Sequence, residues 1–140
     1  MIWLLIIDIY AARIHCKFIS WIQCQTINKN FLFFKFTLKN IYIENYFNKI
    51  KCSFDKIGNE TVVEYIKLIE KLLLLSFKLN KNINPVFRIE EQLKNNCLKI
   101  FSDRNVRCGN YNNINLILKI SGVWINGRDF GITFRFFITN

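Results

Sequence analysis

A single proline and five glycines in 140 residues leave little material for linkers, so the chain reads as one domain spanning residues 1–140. Histidine occurs once, at position 15, which removes the most versatile general base and metal ligand from nearly the whole sequence. Gly-rich phosphate loops and G-x-S-x-G elbows are absent, and the adjacent Glu90 and Glu91 are a pair in sequence only, since neighbours on a helix or strand do not converge. The chain therefore reads as non-enzymatic. Acidic residues are also scarce: ten Asp and Glu stand against twenty Lys and Arg, a formal charge of +10. That balance favours an anionic partner, nucleic acid or an acidic membrane surface. A bias toward Lys, Asn and Ile, whose codons are rich in A and T, accounts for part of the lysine without any selection for binding.

The five cysteines, at 16, 24, 52, 97 and 108, are odd in number and form no C-x-x-C pair. This spacing resembles no zinc finger, and no disulfide is expected to be required. The expectation is no metal, no cofactor and free thiols in a reducing, intracellular compartment, the host nucleus or cytoplasm if the chain is viral. The opening "MIWLLIIDIYAARIHC" has no basic leading segment, and Asp8 and Arg13 interrupt it short of a membrane-spanning length, so no transmembrane segment is expected. It reads as a strand, with residues 1–15 alternatively an N-terminal extension or a misassigned start. In a secreted chain Asn59-Glu60-Thr61 would be a glycosylation sequon.

What is abundant is apolar and aromatic: 51% of residues are hydrophobic and 14 are Phe, enough for a sizeable core. "FFKFTLK" at 33–39 alternates with period two, Phe34, Phe36 and Leu38 on one face and Lys35, Thr37 and Lys39 on the other. Thr61-Val62-Val63-Glu64 fits a capping box, and the apolar spacing that follows predicts a principal helix at about 61–79. Its second half, "LLLLSF", must be buried by the sheet or by a second chain, so a homo-oligomer through 72–79 stands beside an ordinary core helix. Pro85 breaks the helix, residues 89–96 read as a short second one, and "CLKIF" as a brief strand before the polar loop "SDRNVRCGNYNN". The fold class is α+β, with a mainly antiparallel sheet, OB-like or related.

Asn126-Gly127 between two β-rich runs predicts a C-terminal hairpin. Unbroken alternation puts Ile117, Val123, Ile125, Phe130, Ile132, Phe134 and Phe136 on a core face, with Lys119 and Ser121. The other face then carries Leu118, Ile120, Gly122, Trp124, Gly131, Thr133, Arg135 and Phe137. Glycine inside a strand marks a bulge or the close approach of a backbone or ligand. Trp124 beside such gaps is either a stacking platform, with Arg135 meeting phosphate, or a core residue covered by the helix.

"NPVFRIEEQL" followed by "LILKISGVWINGRDFGITFRF" resembles the closing part of small single-stranded-DNA-binding proteins of large DNA viruses with A+T-rich genomes. The resemblance covers roughly the last third of the chain. It implies an OB-like β-rich fold that coats single strands during DNA replication, with Trp124, Arg135 and Phe137 at the matching aromatic and basic positions. Many such proteins end in an acidic extension, whereas this sequence ends at Thr139-Asn140. The expected function is thus single-stranded nucleic-acid binding with little sequence preference, DNA favoured over RNA. Trp124 and Phe137 would stack, Arg135, Lys35 and Lys39 would meet phosphate, and Arg104, Arg107 and Tyr111 of the polar loop would join them. The alternative is a structural or interaction subunit of a virus or A+T-rich microbe that assembles through apolar surface.

Overall fold

A computed structural model describes residues 24–25, 31–77, 82–101 and 106–139. In chain order its elements are β1 (Cys24–Gln25), β2 (Leu32–Tyr46), β3 (Lys49–Phe54), α1 (Glu60–Phe77), β4 (Asn84–Pro85), α2 (Arg88–Lys94), β5 (Cys97–Ile100), β6 (Gly109–Asn126) and β7 (Asp129–Thr139). The strand expected over residues 1–15, the end of the helix beyond 77 and Arg104 lie outside the described residues.

Five strands close on one another. β2 pairs antiparallel with β3 and with β6, β3 with β5, and β6 with β7. The last seam, β5 against β7, is parallel: Ile100 stands opposite Phe136, and the Phe101 N–H donates to the Phe136 carbonyl at 3.0 Å. The result is a mixed barrel in the order β2-β3-β5-β7-β6 and back to β2, mostly sheet and mostly antiparallel. Closure leaves these strands few unpaired edges. β1 lies along β2, and β4 lies parallel to the start of β7.

The period-two pattern fills the barrel as the sequence suggests. Phe34, Phe36 and Leu38 are buried, while Lys35 and Lys39 are exposed. Beyond Leu38 the next buried residues on β2 are Ile41 and Ile43, so the alternation slips by one. The slip is a kink at Asn40, which takes φ 52°, a left-handed conformation that asparagine tolerates. Asn59, 1% exposed, holds the kink: its Oδ1 accepts the Lys39 N–H at 2.9 Å, and its Nδ2 donates to the carbonyls of Lys39 at 2.9 Å and Asp55 at 2.7 Å. Those contacts leave the amide no room for a glycan. Asn59→Ala should cost about 2 kcal/mol, because buried backbone groups lose their partners. Asn59→Asp should also destabilise, since a carboxylate cannot donate to two carbonyls. A denaturant midpoint equal to that of the wild type would show that the kink holds itself.

Asn59 also sets the start of α1. Its carbonyl accepts the Val63 N–H at 2.9 Å, so the helix begins at Glu60 and the capping box centred on Thr61 does not form. Glu64, expected to reach back toward Thr61, pairs with Lys67 at 3.2 Å. α1 buries Val63, Ile66, Ile69, Leu73 and Leu74, so half of the leucine run, Leu73 and Leu74, belongs to the core. Leu68 and Leu75, one heptad apart, stay 41% and 60% exposed.

The hairpin forms where expected, but Asn126 pairs with Asp129 and the two turn residues are Gly127-Arg128, one position beyond Asn126-Gly127; its faces also differ from the expectation. A bulge between Ile120 and Gly122 inserts Ser121 as an extra residue and reverses the alternation of β6. Leu118 and Ile120 are therefore buried in the barrel, and Ile117 and Lys119 fall on its outer face. Downstream of the bulge Trp124 stands opposite Gly131 on that same outer face, with Thr133, Arg135 and Phe137 of β7. Gly122 lies at the register shift, and Gly131 is where another side chain approaches.

Candidate functional site

β3, β5 and β7 bring their outward residues to one surface. Alternation leaves Lys49, Lys51 and Ser53 outside on β3, Cys97 and Lys99 outside on β5, and Thr133 and Arg135 outside on β7. All of these except Ser53, with Phe101, Trp124 and residues of α2, line an open groove of about 920 Å³. Its charged lining is Lys49, Lys51, Arg88, Lys99 and Arg135 against Glu91 alone. Among the described residues, the ion pairs are Lys51–Glu44 at 2.9 Å, Lys67–Glu64 and Lys94–Glu90, so only Lys51 of the groove cations is neutralised in this way. Its hydrogen bond to Glu44 raises its pKa and keeps it protonated.

Cations and rings alternate along the groove. The Phe101 ring has Lys49 Nζ 5.4 Å and the Arg135 guanidinium 4.9 Å from its centroid. Trp124 has the Arg88 guanidinium at 4.4 Å. Its indole lies flat against Gly131, which has no side chain to hold it off, and its buried Nε1–H has no partner among the described residues. Beyond Lys49 the β2–β3 turn carries Tyr46 and Phe47, packed edge to face at 4.8 Å and 60% and 89% exposed. Phe47 takes φ 52°, where a bulky residue is strained and glycine is preferred. Tyr46 stands directly opposite Lys49 and shares its outer face.

The described thiols of β3 and β5 are not activated. Burial pushes the Cys52 thiol up to about 12, with Cys97 adding to the effect, and burial also raises Cys97, so neither is a thiolate at neutral pH. Cys52, Cys97 and Cys108 are free. Among the described residues no three His, Cys, Asp or Glu side chains gather into a metal site, and no helix is long and apolar enough to cross a membrane.

Of the residues singled out from sequence, Trp124 and Arg135 line this groove. Phe137 is on the outer face of β7 but opposite Ile117, which in turn stands opposite Lys35, so these three form a separate row across β7, β6 and β2. Lys39 sits at the β2 kink. Tyr111 packs its ring against the core and donates its hydroxyl to the Arg107 carbonyl at 2.7 Å, beside a smaller depression of about 420 Å³. Neither joins the groove. The residues missed were Lys49, Lys51, Arg88, Lys99 and Phe101. The signal was present in "KIKCSF" and "CLKIF", two short runs in which every second residue is a cation, a small polar group or a ring.

Comparison with protein-family models, curated proteins and solved structures gives no match.

Proposed function

We propose that the protein is a non-enzymatic binder of single-stranded nucleic acid, DNA by preference, that coats the strand with little sequence selectivity. The observation that carries this reading is the groove itself, where Phe101 and Trp124 alternate with four cations that no described carboxylate pairs with. Rings stack on any base and cations meet any phosphate, so this composition tolerates sequence. The strand order supports the same reading. Counting barrel strands only, the order is 1-2-3-5-4 and back to 1, as in an OB-like barrel. In such barrels the face of strands 2 and 3 and the loops joining 1 to 2 and 4 to 5 bind oligonucleotides. Here those parts are β3, β5, the Phe47-Asn48 turn and the Gly127-Arg128 turn. Such a role agrees with the resemblance of the last third of the chain to viral single-stranded-DNA-binding proteins.

A second reading, a subunit that assembles through apolar surface, is favoured by the exposure of Leu68 and Leu75. Salt separates the two, because phosphate neutralisation weakens with ionic strength and leucine burial does not. Anisotropy titrations with single-stranded and duplex oligonucleotides at two salt concentrations should show tighter binding to single strands and a steep loss with salt. Arg135→Ala should flatten the slope of log K against log salt by about 0.7, one phosphate contact on a single strand. Equal affinity for single strands, duplex and an unrelated polyanion would sink the proposal.

A further inference from the structure

The β6–β7 register sets Lys119 directly opposite Arg135. Like charges facing each other across a sheet destabilise it, and no described carboxylate pairs with either. Both cations instead lie against rings: Lys119 Nζ is 4.3 Å from the centroid of Phe31 and 5.8 Å from that of Phe33, and Arg135 is 4.9 Å from Phe101. Phe33 stands opposite Lys119 on β2. A row therefore crosses the outside of the barrel from Phe33 through Lys119, Arg135 and Phe101 to Lys49, running aromatic, cation, cation, aromatic, cation. Four strand spacings make it roughly 19 Å long. Only the last three members belong to the groove. The bulge at Ser121 puts Lys119 in this row, since without it the alternation of β6 would pair the outward face of β7 with Leu118 and Ile120.

We propose that Lys119 and Arg135 together form a phosphate-binding step over which a bound single strand leaves the groove and continues onto β6 and β2, where Phe31 and Phe33 meet the next bases. This inference rests on the nucleic-acid reading and adds to it a path across the barrel and a larger footprint. An anion between the two cations removes the repulsion the register builds in, and the flanking rings give bases a surface on either side.

The test uses the full chain with labelled oligothymidylates of about 4 and about 16 nucleotides, the ends of the footprint range for a barrel of this kind. Lys119→Ala should weaken the long oligonucleotide about three- to tenfold and flatten its salt slope by about 0.7, while leaving the short one unchanged. Lys119→Arg should restore the long-oligonucleotide affinity. Phe31→Ala should reproduce the length-selective loss without changing the slope. Thermal unfolding checks the fold, and Lys119→Ala should melt no lower than the wild type because a like-charge contact is relieved. If Arg135→Ala weakens both lengths while Lys119→Ala and Phe31→Ala weaken neither, the strand ends in the groove and the inference falls with the binding function intact. If the wild type binds neither oligonucleotide, the function falls and this path with it.

Discussion

Replacing Glu70 by alanine should lower stability by about 3–5 kcal/mol, with chemical unfolding as the readout. Glu70 is a fully buried carboxylate on α1, and it holds the start of α2: Oε1 accepts the Ile89 N–H at 3.0 Å and Oε2 accepts the Glu90 N–H at 2.7 Å. The residue at the N-cap position of α2 is Phe87, which offers no side-chain oxygen, so the cap comes from another helix. Alanine leaves two amides without their acceptor, at about 1–3 kcal/mol each, and a cavity in addition. Glu70→Gln should fall between, because only one of its two terminal atoms can accept. Burial pushes the Glu70 carboxyl above its ordinary value of 4.5, and the hydrogen bonds from Ile89 and Glu90 only partly oppose that. The folded chain therefore holds this proton over a range in which the unfolded chain has released it. Its contribution is full below pH 4.5 and declines as pH rises to the raised value. Glu70→Gln should remove that component of the pH dependence. An unchanged midpoint in Glu70→Ala would mean that α2 caps itself. The effect also reaches the groove, since α2 opens with Arg88, the residue stacked on Trp124.

Local alternation made parts of this fold legible. Lys35 and Lys39 read as outward and Phe34, Phe36 and Leu38 as inward because each decision needed only neighbouring residues, and the C-terminal hairpin was equally local, although its turn falls one residue later, at Gly127-Arg128. Two features depended on partners remote in sequence. The slip at Asn40 needs Asn59 to hold it, and the capping box failed because Asn59, anchored to β2 by its side chain, accepts the Val63 N–H through its carbonyl and starts the helix at Glu60. The bulge at Ser121 had a local sign, Gly122, but a glycine does not say which side of it the extra residue falls. That single residue moved Leu118 and Ile120 into the core and Lys119 out. The groove was hidden for a topological reason: Lys49, Lys99, Phe101 and Arg135 come from three strands that meet only when the parallel β5–β7 seam closes the barrel.

Trp124→Ala should reduce affinity for single strands by about 1–3 kcal/mol, the worth of one stacked base, with the salt slope unchanged because indole carries no charge. The indole is half-buried and lies outside the barrel, so the stability loss should be smaller than that of a core aromatic such as Phe136, which is fully buried. That difference separates lost binding from lost folding. A second variant approaches the same ring from below. A Cβ on Gly131 would sit 2.6 Å from Trp124 Cε2 and Cζ2 and 2.7 Å from Nε1, closer than atoms can approach, so Gly131→Ala must lift the indole off the sheet. The lifted ring loses the position in which Arg88 covers it at 4.4 Å, and the buried Nε1–H becomes free to find water. Gly131→Ala should then weaken binding about as much as Trp124→Ala while keeping every charge and every aromatic residue. The double variant should be no weaker than either single one, since both act on the same ring. Wild-type affinity in Gly131→Ala, with weakened binding in Trp124→Ala, would show that the ring's presence matters and its seat on β7 does not. Wild-type affinity in both would take Trp124 out of the interface and leave Phe101 as the groove's stacking surface.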